Sequence, residues 1–314
     1  MKRIVLFICI FASFAAALSA GGRRDTERAD GKINVVATIF PPYDFVREIA
    51  GDKVNLTMLL PPGAESHSFE PTPQDIIKVQ NCDVFIYVGG ESDAWVEMIL
   101  ESMDTSRMEI ITFMDCVEVV EEVVVEGMEE EEEEEAEGPE YDEHVWTSPK
   151  NAQLIVQKIS GALAQRDRPN AAEYEKNTAS YLAKLADLDT SFRNMVNGAK
   201  RKTFIFGDRF PFRYFADAYG LSYFAAFPGC STETECSAAT VAFLVDKVRA
   251  EKIPVVFHIE LSNEKIADTI CEETGAKKML LHAVHNISKR DFDRGENYYG
   301  LMSQNLQNLR EALY

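Results

Sequence analysis

The chain has 314 residues, more than one core ordinarily takes in, so two domains are expected. Apolar residues make up 46% and charged residues 27%, a globular balance that excludes a disordered chain. The formal net charge of −20 excludes a nucleic-acid partner, which requires a basic stripe, and suits a protein that handles cations.

The N-terminus, MKRIVLFICIFASFAAALSAGG, sets Lys2 and Arg3 before the apolar stretch Ile4 to Leu18 and ends in small residues at Ala20. That is the pattern of a secretory signal peptide over 1–20, cleaved near Ala20; an N-terminal membrane anchor is the alternative. Cys9 lacks the small residues expected just before a lipid-modified cysteine. Residues 21–31 read as a polar tether. Export would place the mature chain in the periplasm or at the cell surface, where disulfides can form. Five cysteines remain after cleavage: Cys82, Cys116, Cys230, Cys236 and Cys271. Cys230 and Cys236 could close a small loop, and the odd count leaves at least one thiol.

KINVVATIF then reads as a strand, PPYDFVREIAGD as a helix and VNLTMLLPP as a second strand stopped by proline. PTPQDIIKVQN is a helix in which Thr72 caps, Pro73 fits the first position and Asp75 completes a capping box. CDVFIYVGG is a nearly continuous apolar run, the mark of a buried parallel strand. AWVEMILESM is helical and MEIITF a further strand. From 118 to 143 the pattern dissolves into acid, including seven consecutive glutamates from Glu129 to Glu135. Such a run is solvated, since like charges repel and bury nothing; it either serves as a spacer or raises the local cation concentration. Ser148 and Pro149 restart a helix through Gln165.

The segment 169–199 keeps Tyr174, Tyr181, Leu182, Leu185, Leu188, Phe192 and Met195 at helical spacing, too long for an ordinary globular helix. It reads as a rigid connector. KTFIFG, LSYFAAF, IPVVFHIE and KKMLLHAV then alternate as strands with helices at FRYFADAYG, SAATVAFLVDKVRAEK and NEKIADTICEETGA. A last helix is near YGLMSQNLQNLREAL. The expected fold is therefore α/β: two lobes with mostly parallel sheets, 32–168 and 200–314, joined by a single long helix, with a ligand cleft between strand ends.

The chain has five histidines. His67, in PPGAESHSFEPTP, and His144, in YDEHVWTSP, fall in loops, and His282, in MLLHAVHN, falls at a strand end. These positions face the ligand edge of such lobes, and imidazoles with a carboxylate form an ordinary zinc set. His258, mid-strand, reads as a core histidine. No HExxH, glycine-rich phosphate loop or GxSxG occurs, so the common enzyme motifs are missing.

PPGAESHSFEPTP, YDEHVWTSPKNA, RYFADAYGL and FHIELSNEKIADTICEETGAK together resemble, in order and over nearly the whole mature chain, the periplasmic or surface metal-binding proteins of zinc and manganese ABC importers. The resemblance implies two α/β lobes joined by one long helix, with the metal between them. It implies His67 as first ligand and His144 as second. The family's third ligand precedes the aromatic helix; here Arg209 falls there and cannot bind a cation, which leaves Asp208, or an ion pair of Asp208 with Arg209 or Arg213. The fourth position falls on His282, with His285 and Glu260 as competitors. Glu70 would either support His67 or favour the next helix. Imidazole in place of a carboxylate implies Zn²⁺ rather than Mn²⁺. The implied function is capture of a divalent cation by a monomer and its delivery to an ABC permease, with no catalysis. The rivals are a manganese-binding importer component, a zinc hydrolase using Glu70 or Glu260 as base, and an adhesin with a structural metal.

Overall fold

The computed structural model describes residues 31–66, 68–128, 140–231 and 235–314. The signal peptide, most of the tether, the glutamate run and His67 lie outside the described residues. In the first lobe β1 (Asn34–Ala37), α1 (Phe40–Ala50), β2 (Asn55–Met58), α2 (Pro73–Gln80), β3 (Val84–Tyr87), α3 (Ala94–Glu101) and β4 (Glu109–Thr112) alternate as the apolar runs require. Thr72 and Asp75 form the reciprocal capping box at α2. The strands pair in the order β2-β1-β3-β4, all parallel.

The second lobe repeats this plan. Its elements are β5 (Thr203–Phe206), α6 (Arg213–Tyr219), β6 (Ser222–Phe224), α7 (Ala238–Glu251), β7 (Val255–His258), α8 (Lys265–Thr274) and β8 (Lys277–Leu280). Its strands run β6-β5-β7-β8, again parallel. Strand order reverses between β1 and β3 in one sheet and between β5 and β7 in the other, and ligands bind beyond the C-terminal strand ends at such points.

Two helices carry the chain between the lobes: α4 (Pro149–Arg166), capped by Ser148, and α5 (Ala171–Gly198). On α5 the buried residues Tyr174, Thr178, Tyr181, Leu185, Leu188, Phe192 and Met195 recur at alternating intervals of four and three. That spacing keeps one stripe on one side over 28 residues, about 42 Å of helix, and it packs on α1, α4, α6 and the C-terminal helix α10 (Tyr298–Leu313). The short helix α9 (Lys289–Asp293) precedes α10. One apolar cluster runs through both lobes, from Val35 and Phe45 through Trp146 and Phe192 to Phe257 and Leu309. Residues 33–314 accordingly form one compact unit.

Asp44 illustrates how tightly α1 and α10 are joined. Its side chain is fully buried and accepts the Tyr298 N–H (2.7 Å) and the Arg47 guanidinium (2.9 Å). Burial, only partly offset by Arg47, raises its pKa to about 6. Between the unfolded value near 4 and about 6 the folded chain therefore holds a proton that the unfolded chain has lost, so this contribution to stability falls as pH rises through that window. In metal-free protein, the stability advantage of wild type over Asp44→Asn is expected to shrink by about 2 kcal/mol between pH 4.5 and 6.5 in urea melts.

Candidate metal centre

The legs of the acidic loop are pinned to each other. Glu122 N–H donates to Glu140 C=O (2.9 Å) and Asp142 N–H to Val120 C=O (3.0 Å). Tyr214 of α6 reaches across from the second lobe and donates to the Asp142 carbonyl (2.7 Å). His144 follows, fully buried, at the start of a single 3₁₀ turn over Val145–Thr147. Asp142 Oδ1 accepts the His144 N–H (2.8 Å) and lies 3.0 Å from Nδ1. This holds the Nδ1 proton toward Asp142, while Nε2, also buried, is the nitrogen on the far side of the ring. Burial pulls the imidazole toward its neutral form, but Asp142, with Glu143 and Glu122 behind it, more than offsets this and raises its pKa.

The second lobe meets this histidine through the loop after β8. Trp146, 1% exposed, donates its indole N–H to Ala283 C=O (2.8 Å), and Phe40 N–H donates to His285 C=O (3.3 Å). Glu260, just past β7, accepts the N–H groups of Ala283 (2.7 Å) and His285 (2.9 Å) with its two oxygens. Between them Val284 adopts φ 64°, a left-handed conformation unusual for a β-branched residue. The turn sets the His285 ring edge-on to His144, centroids 4.5 Å apart, and edge-on to Trp146 at 5.0 Å. His285 Nε2 is buried. Grooves on either side of His285 are lined by Ser66, Arg209 and Glu260 and by Ser66, Phe69 and Glu143, so the segment flanking His67 borders the cleft.

The sequence-based ligands divide on this geometry. His144 stands at the centre. His282 is engaged elsewhere. Its backbone is clasped by Asn305 of α10 (2.8 and 2.7 Å), and its Nδ1 accepts the Val284 N–H (3.0 Å). The same Nδ1 lies 3.4 Å from Glu260 Oε2, so the ring is engaged by its own loop. Asp208 is likewise occupied. Its oxygens accept the N–H of Arg209 (2.9 Å) and of Ile259 (3.2 Å), tying the end of β5 to the end of β7. None of His282, His285 and Asp208 belongs to a group of three ligand atoms within 4.8 Å among the described residues. Arg209 is paired not with Asp208 but with Glu65 (3.3 Å) and the Ser231 carbonyl (3.1 Å). Glu260 serves the loop, with one N–H on each of its oxygens.

His285, a competing candidate by sequence, is the residue brought to His144. Cys230 was legible only as half of a disulfide, whereas the described cysteines are thiols and no disulfide joins any two of them. A ligand atom each from Glu143, His144 and Cys230 lies within 4.8 Å of the others. The position of Cys230 on the loop leaving β6, at the same edge as the histidines, was the available signal. Burial, with Glu143, Asp142 and Glu122 nearby, pushes the Cys230 thiol well above its ordinary pKa. His258 sits apart, its Nδ1 2.9 Å from Ile259 C=O.

Fold and site together define a two-lobed binding protein whose interlobe cleft offers imidazole, thiol and carboxylate to a metal ion. Residues 35–312 match the family described as ZnuA, zinc-uptake complex component A, periplasmic, and the chain belongs to that family. It is 34% identical over 311 residues to the high-affinity zinc uptake system protein ZnuA of Bacillus subtilis, covering 98% of this chain and 97% of that one. It is 33% identical over 319 residues to the zinc-binding lipoprotein AdcA of Streptococcus pneumoniae, covering 99% of this chain but 61% of AdcA. The chain thus spans about three-fifths of the AdcA relatives it matches. The crystal structure of the Zn(II)-bound ZnuA-like domain of AdcA aligns with a TM-score of 0.75 at 30% identity, over 90% of this chain and 99% of that domain. The metal-dependent lipoprotein YcdH from B. subtilis aligns with a TM-score of 0.76 at 33% identity, over 90% and 99%.

Replacing the carboxylate beside His144 should be felt in two ways. Asp142→Asn should weaken Zn²⁺ binding near pH 7.5 by roughly tenfold to a hundredfold, because the imidazole loses the partner that orients it. It should also move the acid limb of binding to lower pH, since the carboxylate that favours protonated His144 is gone. Competition titrations against a chelator across pH read both effects.

Proposed function

We propose that the chain is an exported solute-binding protein that captures Zn²⁺ in the interlobe cleft and delivers it to an ABC-type membrane permease. The observation that carries this reading is the pair of buried imidazoles, His144 from the first lobe and His285 from the second, in ring contact at 4.5 Å. Family membership and the zinc-binding and zinc-uptake character of these relatives support it. His144 and His285 ligate through Nε2, and His67 joins them as the resemblance implies. Asn286 donates to the carbonyls of Pro61 (2.8 Å) and Ala64 (2.7 Å), so the loop after β8 also steadies the chain leading to His67. His282 and Asp208 support the cleft rather than ligate.

Zn²⁺ suits this set better than Mn²⁺, because imidazole favours the borderline ion and carboxylate-rich sites the harder one. Export proceeds through the N-terminal signal read at 1–20, with cleavage near Ala20. The glutamate run 129–135, beside the pinned legs at Glu122 and Glu140, concentrates cations near the cleft.

Calorimetry on chelator-stripped wild type, His285→Ala and His282→Ala tests the assignment. Wild type should bind Zn²⁺ more tightly than Mn²⁺. His285→Ala should lose roughly a hundredfold or more in Zn²⁺ affinity, and His282→Ala less than about tenfold. The reverse order would restore His282 as ligand; tighter Mn²⁺ binding would reverse the metal, and no binding of either ion would remove the function.

A further inference from the structure

Cys230 belongs to two groups of ligand atoms at once. With Glu143 and His144 it forms one set within 4.8 Å, and with Glu122 and Glu140 a second within the same limit. Glu143 and His144 are buried, Glu122 and Cys230 half-buried and Glu140 exposed. The thiol therefore stands between the base of the acidic loop and the buried histidine.

Three contacts hold residues 229–231 in place. Cys230 N–H donates to Glu122 Oε1 (2.9 Å), and Arg209 Nη1 donates to Ser231 C=O (3.1 Å). Gly229 closes against the imidazole: a Cβ there would fall 3.1 Å from His144 Nδ1 and 2.9 Å from Phe210 C=O, so only glycine permits this approach. Arg209 occupies the position where a third ligand was expected. Its guanidinium cannot ligate, but it anchors the loop that carries a soft donor to the same cleft.

We propose that Cys230 is a ligand of the captured cation, joining His144 in place of the donor missing at Arg209, and that its sulfur makes the site select Zn²⁺ over Mn²⁺. The proposal rests on the zinc-capture reading above. Coordination breaks the S–H bond and forms the Zn–S bond, and the proton leaves to solvent. Sulfur and nitrogen bound to one tetrahedral zinc lie roughly 3.5 Å apart, so the two atoms, within 4.8 Å of each other, need to close by about 1.3 Å at most. Thiolate is the donor that separates zinc from the hard, oxygen-preferring manganese ion. Glu143, whose oxygens accept from the Ser92 hydroxyl and N–H, stands beside the pair as a carboxylate already fixed in direction.

The test uses the whole chelator-stripped chain, kept reduced with a phosphine and loaded with Co²⁺ as an optical probe. Wild type and Cys236→Ser should show the near-ultraviolet thiolate-to-cobalt charge-transfer band, and Cys230→Ser should lack it. Zn²⁺ affinity of Cys230→Ser should fall by roughly tenfold or more while Mn²⁺ affinity changes by less than about twofold. Bound Co²⁺ without the band in wild type, or a band that survives Cys230→Ser, overturns the proposal. The wild-type band decides the matter even where the variant folds poorly. Tight Zn²⁺ binding without the band leaves zinc capture standing and removes the thiolate; failure to bind either ion removes both.

Discussion

The carboxylate of Glu260 is the constraint on which the site depends. It sits at the end of β7, beside the strand-order reversal of the second sheet, and fixes the Ala283 and His285 N–H groups with one oxygen each. Those bonds hold Val284 at positive φ, a conformation that costs on the order of 1 kcal/mol or more unless its surroundings impose it. Trp146 reinforces the same turn from the first lobe through Ala283 C=O, and Tyr298 of α10 donates to Trp146 C=O (2.7 Å). The outcome is a His285 ring whose direction is set by backbone bonds from both lobes. A shared apolar core running through α5 and α10 keeps those lobes in register.

The role of each histidine is set by its neighbours rather than by its position in the chain. Asp142 holds one nitrogen of His144, and on our proposal the other meets the metal. Val284 N–H donates to Nδ1 of His282, which braces its own loop. Asp208 and Arg209, adjacent in sequence, also diverge: the acid ties β5 to β7, and the base spans from Glu65 to Ser231. Charge follows the same logic. The acids around His144 and Cys230 form a negative surround in which a cation replaces protons, and the exposed Glu140 marks where that surround opens toward the acidic loop.

The two α/β lobes, the long helix, the capping box of α2 and the start of α4 were legible in the sequence, because apolar periodicity and cap chemistry act over a few residues. His144 was legible because its loop precedes a capped helix. What separates the surroundings of His282 from those of His285 was not. It turns on one β-branched residue at positive φ and on Asn305, 23 residues downstream of His282, neither of which leaves a local signature. The surroundings of Cys230 were hidden for a similar reason: its spacing to Cys236 invited a disulfide, while its actual neighbours, Glu143 and His144, come from the other lobe. The resemblance placed a third ligand at the position now held by Arg209, and nothing nearby in sequence announced where a replacement donor would arise.

Anomalous diffraction at the zinc edge from crystals of the loaded protein tests the pairing of His144 with His285 most directly. A single strong peak is expected between the two rings, about 2.0–2.1 Å from Nε2 of each. A peak bound instead by His282 and Asp208, with His285 turned away, would contradict that pairing.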